Sequence, residues 1–442
     1  MRWNFEPHHA RPGVCVGGII LCLFSLCCLA QTALPQGTVN APSGAPLVIT
    51  LDEAIRRAQA NEPNFTTVQA EAKATALDRS IARAALLPNA VYHNQFLYTQ
   101  GNGQGATIAP DGTQTPAPPI FIANNAVHEY TSQAAVTETI GLKGVADVRL
   151  ANATAARAAA EYEIARRGLV ATVVVLYYDL TASEHKVRVA ERAENESAGF
   201  TDLTNKRENA REVAHADVVK AQLQQQQRER DLADARLAAD KARLELGVLL
   251  FPDPRTSYAT ESTPLPAMPS RADVEARASD RNPDLRSALA AVRMSDAEVL
   301  GARAAYLPDL ALNFNYGIDA AQFATKGPNG VNNLGYSASA TVDIPVWDWL
   351  ATPHRVKQTE IRRDAARVAL TATQRHLIAT LDEAYAEAAE AQRQAASLVL
   401  SAQTAQESLR LTKLRYTAGE ATALEVVDAQ TALTAAENAQ ED

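Results

Sequence analysis

Arg303-Ala304-Ala305-Tyr306-Leu307-Pro308 closes an alanine-rich, helix-compatible run at a proline, and from Leu310 the hydrophobic period changes to two. Proline cannot continue a helix interior, because it has no N–H and its ring clashes with the preceding turn. Leu310, Leu312, Phe314, Tyr316 and Ile318 alternate with Ala311, Asn313, Asn315, Gly317 and Asp319. After a polar loop, Leu334, Tyr336, Ala338, Ala340, Val342, Ile344 and Val346 alternate with Gly335, Ser337, Ser339, Thr341, Asp343 and Pro345. The pattern predicts helix, strand, hairpin, strand and helix. Alternation over about 9–11 residues suits a strand with lipid on one face and water on the other. A half-buried strand of a soluble sandwich alternates in the same way, so this stretch alone leaves both readings open.

An internal repeat narrows the choice. Arg83-Ala84-Ala85-Leu86-Leu87-Pro88 precedes the quoted motif by 220 residues, and Glu62-Pro63-Asn64-Phe65 precedes Asn282-Pro283-Asp284-Leu285 by the same interval. Leu203, Thr204 and Arg207 match Leu411, Thr412 and Arg415 at an interval of 208. Val218-Val219-Lys220-Ala221-Gln222 matches Val426-Val427-Asp428-Ala429-Gln430 at that interval too. A duplication of this size sets the architecture. The shorter second interval puts extra residues into the first copy, where the Gly/Pro-rich segment Gly101 to Pro119 accommodates them.

Only 5% of the 442 residues are aromatic, and long Ala-, Gln- and charge-rich intervals lack Pro and Gly. Such a chain suits long helices at close range better than a thick globular core. The net charge of -9 argues against nucleic acid as a partner. Arg2 and Arg11, the apolar run Val14 to Leu29 and the small-residue site Cys28-Leu29-Ala30 predict an export signal over residues 1–30. Cys15, Cys22, Cys27 and Cys28 all lie within it, so disulfide and thiolate chemistry are not expected downstream. The later apolar run Gly168 to Leu180 is too short to cross a bilayer as a helix; a membrane span here would be built from strands.

The expected plan is a flexible leader over 31–50, a first repeat over 51–250, a Pro-rich linker over 251–270 and a second repeat over 271–442. Thr50 and Glu53 suggest a capping box opening a helix that pauses at Glu62-Pro63 and runs to Leu87. Strands follow at about 89–99 and 127–140. A long helix over about 144–209, roughly 100 Å at about 1.5 Å per residue, then turns at 209–213 into a return helix over 214–250. The second repeat reads as a helix over 271–307, strands over 309–319 and 334–346, a long helix over 354–416, a turn at 417–421 and a return helix from about 422. The fold class is mainly α with a small β part. Long coiled-coil hairpins would carry four transmembrane strands, with two short helices stacked along each long one. The expected lipid-facing side chains are Tyr92, Phe96, Tyr98 and Tyr130 in the first copy. In the second they are Leu310, Leu312, Phe314, Tyr316, Tyr336, Val342 and Ile344. Four strands cannot close a membrane barrel, and bare strand edges are not tolerated in lipid, so several copies would share one barrel. Strand arithmetic alone admits two, three or four copies.

Leu51-Asp52-Glu53-Ala54, Asn282-Pro283-Asp284-Leu285, Ala304-Ala305-Tyr306-Leu307-Pro308 and Arg415-Tyr416-Thr417-Ala418-Gly419 occur in an order that resembles the TolC-type outer-membrane efflux proteins. Leu424-Glu425-Val426-Val427-Asp428-Ala429-Gln430 extends the resemblance past the helix tip. The resemblance implies a homotrimer: a barrel in the outer membrane continuing into a helical tunnel through the periplasm of a Gram-negative-type bacterium. It implies a passive channel for efflux or type I secretion, with a periplasmic membrane-fusion adaptor, an inner-membrane pump and outer-membrane lipid as partners and no cofactor. It also gives the tips a role in gating or adaptor docking, which would fall to Arg207, Asn209, Arg211, Arg415, Tyr416, Gly419 and Glu420. One departure stands out: Arg211 occupies the first-copy position of Gly419, and glycine is the residue that most easily takes φ > 0.

A periplasmic coiled-coil adaptor or scaffold without a barrel is the competing class. It would carry compact β-domains rather than paired hairpins between long helices. Catalysis is the weakest class, since His93, His128, His185, His215, His354 and His376 show no paired ligand spacing, and neither a phosphate loop before a helix nor a nucleophile elbow occurs. No catalytic, cofactor-binding or metal residues are expected. Finally, residue 442 aligns inside the first copy's return helix. The last helix is therefore expected to break off without a stop signal, as in a truncated chain, and to leave a bare apolar stripe around 365–385 of the long helix.

Overall fold

The computed structural model describes residues 47–98, 107–115, 128–261, 267–328 and 330–442. The expected export signal, residues 31–46 of the leader, most of the Gly101–Pro119 segment, and the strand-end residues Thr99 and Val127 lie outside the described residues.

The first repeat runs β1 (Leu47–Ile49), α1 (Leu51–Asn61), α2 (Pro63–Ala84), β2 (Asn89–Tyr98), β3 (Thr107–Ile108), β4 (Gln114–Thr115), β5 (His128–Ile140), α3 (Leu142–Asn209) and α4 (His215–Leu250). After β6 (Tyr258–Thr260), the second runs α5 (Arg271–Arg281), α6 (Pro283–Ala304), β7 (Asp309–Ala320), β8 (Leu334–Asp343), α7 (Ala351–Thr417) and α8 (Ala423–Glu441). The molecule is mostly helical with a small sheet part, as the alternating and helical stretches predict.

Both short-helix pairs break at the same place for the same reason. A residue before proline is pushed out of the α region, and Glu62 (φ −75°, ψ 118°) and Asn282 (φ −70°, ψ 122°) both leave it. Each then caps the next helix, Glu62 through the Phe65 N–H and Asn282 through the Leu285 N–H at 2.9 Å. The continuous helix expected over 271–307 is therefore two helices ending at Ala304. The expected capping box at Thr50 is half made. Thr50 accepts the Glu53 N–H at 3.3 Å, but the Glu53 carboxylate goes to Arg56 and Arg57.

The four-stranded sheet has the order β2-β5-β7-β8, antiparallel throughout. β8 ends at Asp343, three residues earlier than the alternation suggests. Pro345 has no N–H for the ladder, and Ile344 lies just beyond the strand. The small β3–β4 ladder falls within the Gly/Pro-rich segment Gly101 to Pro119.

Helix α3, 68 residues long, packs on α1, α2, α4, α6 and α8. Helices of 11, 22 and 36 residues (α1, α2 and α4) lie along it and together nearly match its length. Alanine is prominent in the buried surface of α3 and α6: Ala146, Ala153, Ala158 and Ala160 on α3 and Ala290, Ala297, Ala302 and Ala304 on α6 are buried. Small side chains let the helix axes approach closely, which is why so few aromatic residues suffice. α7 packs on α5, α6 and α8. α8 continues as helix to Glu441, and on α7 Ile361, Val368 and Ile378 are exposed.

The largest core cluster sits midway along α3. Val173, Tyr177 and Leu180 are fully buried against Ile49, Ala54, Ala58, Leu246, Leu250 and Tyr258. Burying side chains of this size is worth about 1.5–3 kcal/mol each. Parts of the expected leader and linker are regular structure here. Leu47–Ile49 and Tyr258–Thr260 pair as parallel strands across this cluster. Ile49 and Tyr258 are buried, and the Tyr177 hydroxyl donates to the Glu261 carbonyl at 2.6 Å. Strands of three residues are too short to show a period.

Candidate duct wall and helix tips

The sheet register decides which side chains share a face. Tyr92 opposes Ala134, which opposes Tyr316, which opposes Tyr336. Val136 opposes Phe314 and Phe314 opposes Ala338; Ile140 opposes Leu310 and Leu310 opposes Val342. Phe96 and Tyr98 join this face opposite Tyr130 and His128. One face thus collects Tyr92, Phe96, Tyr98, Tyr130, Leu310, Leu312, Phe314, Tyr316, Tyr336 and Val342 from all four strands. Of these, Tyr336 is 77% exposed and Tyr92 67% in the single chain. Ile344, 67% exposed, follows in the connection after β8. The opposite face is polar and small: Gln133 opposes His93 and Gly317, Asn313 opposes Ser339, and Asn315 opposes Ser337, with a 3.5 Å hydrogen bond between the last two. Gly317 admits no side chain, because a Cβ there would lie 2.1 Å from the Ser132 carbonyl oxygen.

Besides His128 at the start of β5, two polar insertions interrupt the apolar face, and the first copy's weaker alternation is their signal in the sequence. Asn94 and Ser132 are opposite one another. They are joined within the sheet: the Ser132 hydroxyl lies 2.7 Å from Asn94 Oδ1 and 2.8 Å from the Tyr92 hydroxyl. The second insertion is Glu138, opposite Leu312. Its carboxylate has no hydrogen-bond or ion-pair partner among the described residues.

At the far ends of the long helices the two turns superimpose hydrogen bond for hydrogen bond. The N–H groups of Ala210, Arg211 and Glu212 donate to the carbonyls of Lys206, Glu208 and Arg207. Those of Ala418, Gly419 and Glu420 donate to Leu414, Tyr416 and Arg415. Gly419 sits at φ +80° and Arg211 at φ +64°. Arg211 therefore adopts the left-handed conformation despite its Cβ, at a cost of order 1 kcal/mol.

The named tip residues divide into two groups. Arg207 reaches from the first hairpin to the second. Its guanidinium donates to the Tyr416 carbonyl, stands 5.0 Å over the Tyr416 ring and pairs with Glu212 at 2.9 Å. Tyr416 is buried against Phe200 (ring centroids 5.2 Å apart), Leu409, Val426 and Val427. Arg415 instead stays within its own hairpin, 3.4 Å from Glu425 and 3.2 Å from the Glu420 carbonyl. The Thr422 N–H and hydroxyl, with Arg415 behind them, hold the Glu425 carboxyl below its ordinary range. Asn209, Arg211, Gly419 and Glu420 are exposed at the turns. Sequence reasoning put Arg207 and Tyr416 at the tips, but their link across hairpins joins residues 209 positions apart and has no local signal.

Among the described residues no group of three or more His, Cys, Asp or Glu could hold a metal ion, and no helix is long and apolar enough to cross a membrane.

Residues 276–442 match the family model described as outer membrane efflux protein. Outer membrane protein OprJ of Pseudomonas aeruginosa is 27% identical over 151 residues, which is 34% of this chain and 31% of OprJ. The match thus spans about a third of that relative. Among solved structures, the CmeC outer membrane channel of Campylobacter jejuni superimposes with a TM-score of 0.74 at 16% identity, over 88% of this chain and 81% of CmeC. The outer-membrane channel OprN gives 0.73 at 18% identity, over 88% of this chain and 85% of OprN. The open-state MtrE channel of Neisseria gonorrhoeae gives 0.70 at 19%, over 88% and 84%.

Proposed function

We infer, on the premise that residues 276–442 belong to the outer-membrane efflux proteins and that the repeat before them shares their fold, that this chain is the outer-membrane duct of a tripartite export system. It lies in the outer membrane of a Gram-negative-type cell, and its helices extend through the periplasm. One observation carries this reading: a mainly apolar face extends across β2, β5, β7 and β8, while both edge strands are open. In lipid such edges must be paired. Three copies close a barrel of twelve strands, four from each copy, with the Asn313 and Asn315 face lining the water-filled lumen. The duct is passive, and the energy for export comes from an inner-membrane pump reached through a periplasmic adaptor.

Arg207, Asn209, Arg211, Arg415, Tyr416, Gly419 and Glu420 form the periplasmic mouth, where they close the duct or dock the adaptor. Arg207 supports this role because it holds the two hairpins together through one side chain. Recovery of heat-modifiable trimers from isolated outer membranes tests the duct; recovery as a soluble periplasmic protein contradicts it. Arg207→Ala, or the pair Arg415→Glu and Glu420→Lys, should raise single-trimer conductance or weaken adaptor cross-linking. Wild-type values from intact trimers would leave the tips a purely structural role.

A further inference from the structure

The apolar face of the sheet is not smooth. The register sets Glu138, Leu312 and Ala340 in one row and Val136, Phe314 and Ala338 in the next. The two alanines leave a depression of about 470 Å³ between the larger side chains of β5 and β7 and the edge strand. Pro88, Val136, Leu312, Phe314, Ala338 and Ala340 make most of its wall, Asn313 and Ser339 also border it, and Glu138 is the one charged residue that lines it, half-buried.

Glu138 lies two residues before the end of β5, within about 7 Å of the helical column at about 3.4 Å per residue. That is the periplasmic rim of the apolar band. The chain leaving β8 at the same end carries Trp347 and Trp349, 69% and 84% exposed. Aromatic residues of this kind sit at headgroup level in membrane barrels. A carboxylate there is costly unless it is paired. Asn94 and Ser132, also on this face, hydrogen-bond to each other, whereas the Glu138 carboxylate has no such partner among the described residues.

We propose that this depression is a lipid site. A phospholipid of the periplasmic leaflet lays an acyl chain over Ala338 and Ala340, against Phe314 and Leu312, and brings an ammonium headgroup to the Glu138 carboxylate. The site rests on the reading of this face as lipid-facing. The apolar walls fit an acyl chain, and the unpaired negative charge selects a cationic amine over an anionic headgroup.

Native mass spectrometry of the detergent-purified, delipidated trimer tests the site, with phosphatidylethanolamine or phosphatidylglycerol added back. Wild type should retain phosphatidylethanolamine about fivefold more strongly, the ratio expected of one interfacial ion pair worth about 1 kcal/mol. Glu138→Gln should abolish the preference and keep the retention of neutral chain contacts. Ala338→Leu, which fills the depression, should lower retention of both lipids. Equal retention of the two lipids by wild type, or an unchanged preference in Glu138→Gln, overturns the proposal while leaving a membrane-inserted trimer intact. A chain that forms no membrane trimer overturns the lipid-facing reading and the site together.

Discussion

The two repeats reach the same backbone with different residues, and they differ most where their surroundings differ. At the tips, Arg211 and Gly419 both take a left-handed turn and make the same three hydrogen bonds, so the helical hairpin, rather than the local residue, imposes the conformation. Midway along the long helices the repeats part. Tyr177 is fully buried and its hydroxyl is tied to Glu261. Tyr385, 208 positions later, is only half-buried. The first repeat has the β1–β6 pair to cover that position, and the second has no such pair among the described residues. Duplication supplies the helices, whereas the unduplicated segments before and between the copies supply the collar.

The sharpest way to break the comparison of faces is charge insertion. Phe314→Arg should cost about 2–4 kcal/mol in the membrane and sharply reduce trimer yield, whereas Asn313→Arg, on the other face of the same strand, should cost far less. Equal losses of heat-modifiable trimer would remove the assignment of lipid and lumen faces.

The collar comes next in size. Tyr177→Phe removes the hydrogen bonds of the buried hydroxyl to the Ile49 and Glu261 carbonyls and should destabilise by about 1–3 kcal/mol. Tyr385→Phe should change stability very little, since Tyr385 makes no hydrogen bond among the described residues. Thermal melting of the two variants separates them, and equal shifts would mean that the repeats are energetically alike at mid-column.

At the turns, Arg211→Gly should stabilise by roughly 1 kcal/mol by relieving the positive φ, and Gly419→Ala should destabilise by about as much. The same melting assay reads both, and a loss of stability in Arg211→Gly would show that the arginine side chain holds the turn.

The smallest effect is electrostatic. Arg166 and Arg167 hydrogen-bond Glu163 and bring its pKa down to about 2 from 4.5. A carboxyl depressed on folding contributes stability that is present above its unfolded pKa and lost as pH falls through the folded one. Glu163 should therefore help above about pH 4.5 and cease to help near pH 2, by under about 1 kcal/mol because both arginines are half exposed. Glu163→Gln should flatten that part of the acid-stability curve.

Much of this was legible in residue patterns. Alternation in Leu310–Ile318 and Leu334–Val342 carried the sheet and its faces, because a period of two shows plainly when one face is apolar and the other polar. Pro63 marked a helix break, and the same signal at Pro283 was present but was outweighed by the helical composition around it. The collar was hidden because its strands are three residues long and flanked by prolines. Glu138 was hidden because a charge within an alternating run reads as noise until the register shows which neighbours it faces. The Arg207–Tyr416 link depends on two hairpins meeting, and spacing along the chain does not report that.

The central claim, that β2 of one copy closes on β8 of the next, has a direct test in a chain whose only cysteines are Cys15, Cys22, Cys27 and Cys28. With His93→Cys on β2, single cysteines can be placed at Ser337, Ser339 and Thr341 on β8, all on the polar face, and oxidised in isolated outer membranes. Covalent dimers and trimers at one of these positions, with little or none at its neighbours, are the expected result. If none of the pairs cross-links between chains while the protein remains folded, the shared barrel is contradicted.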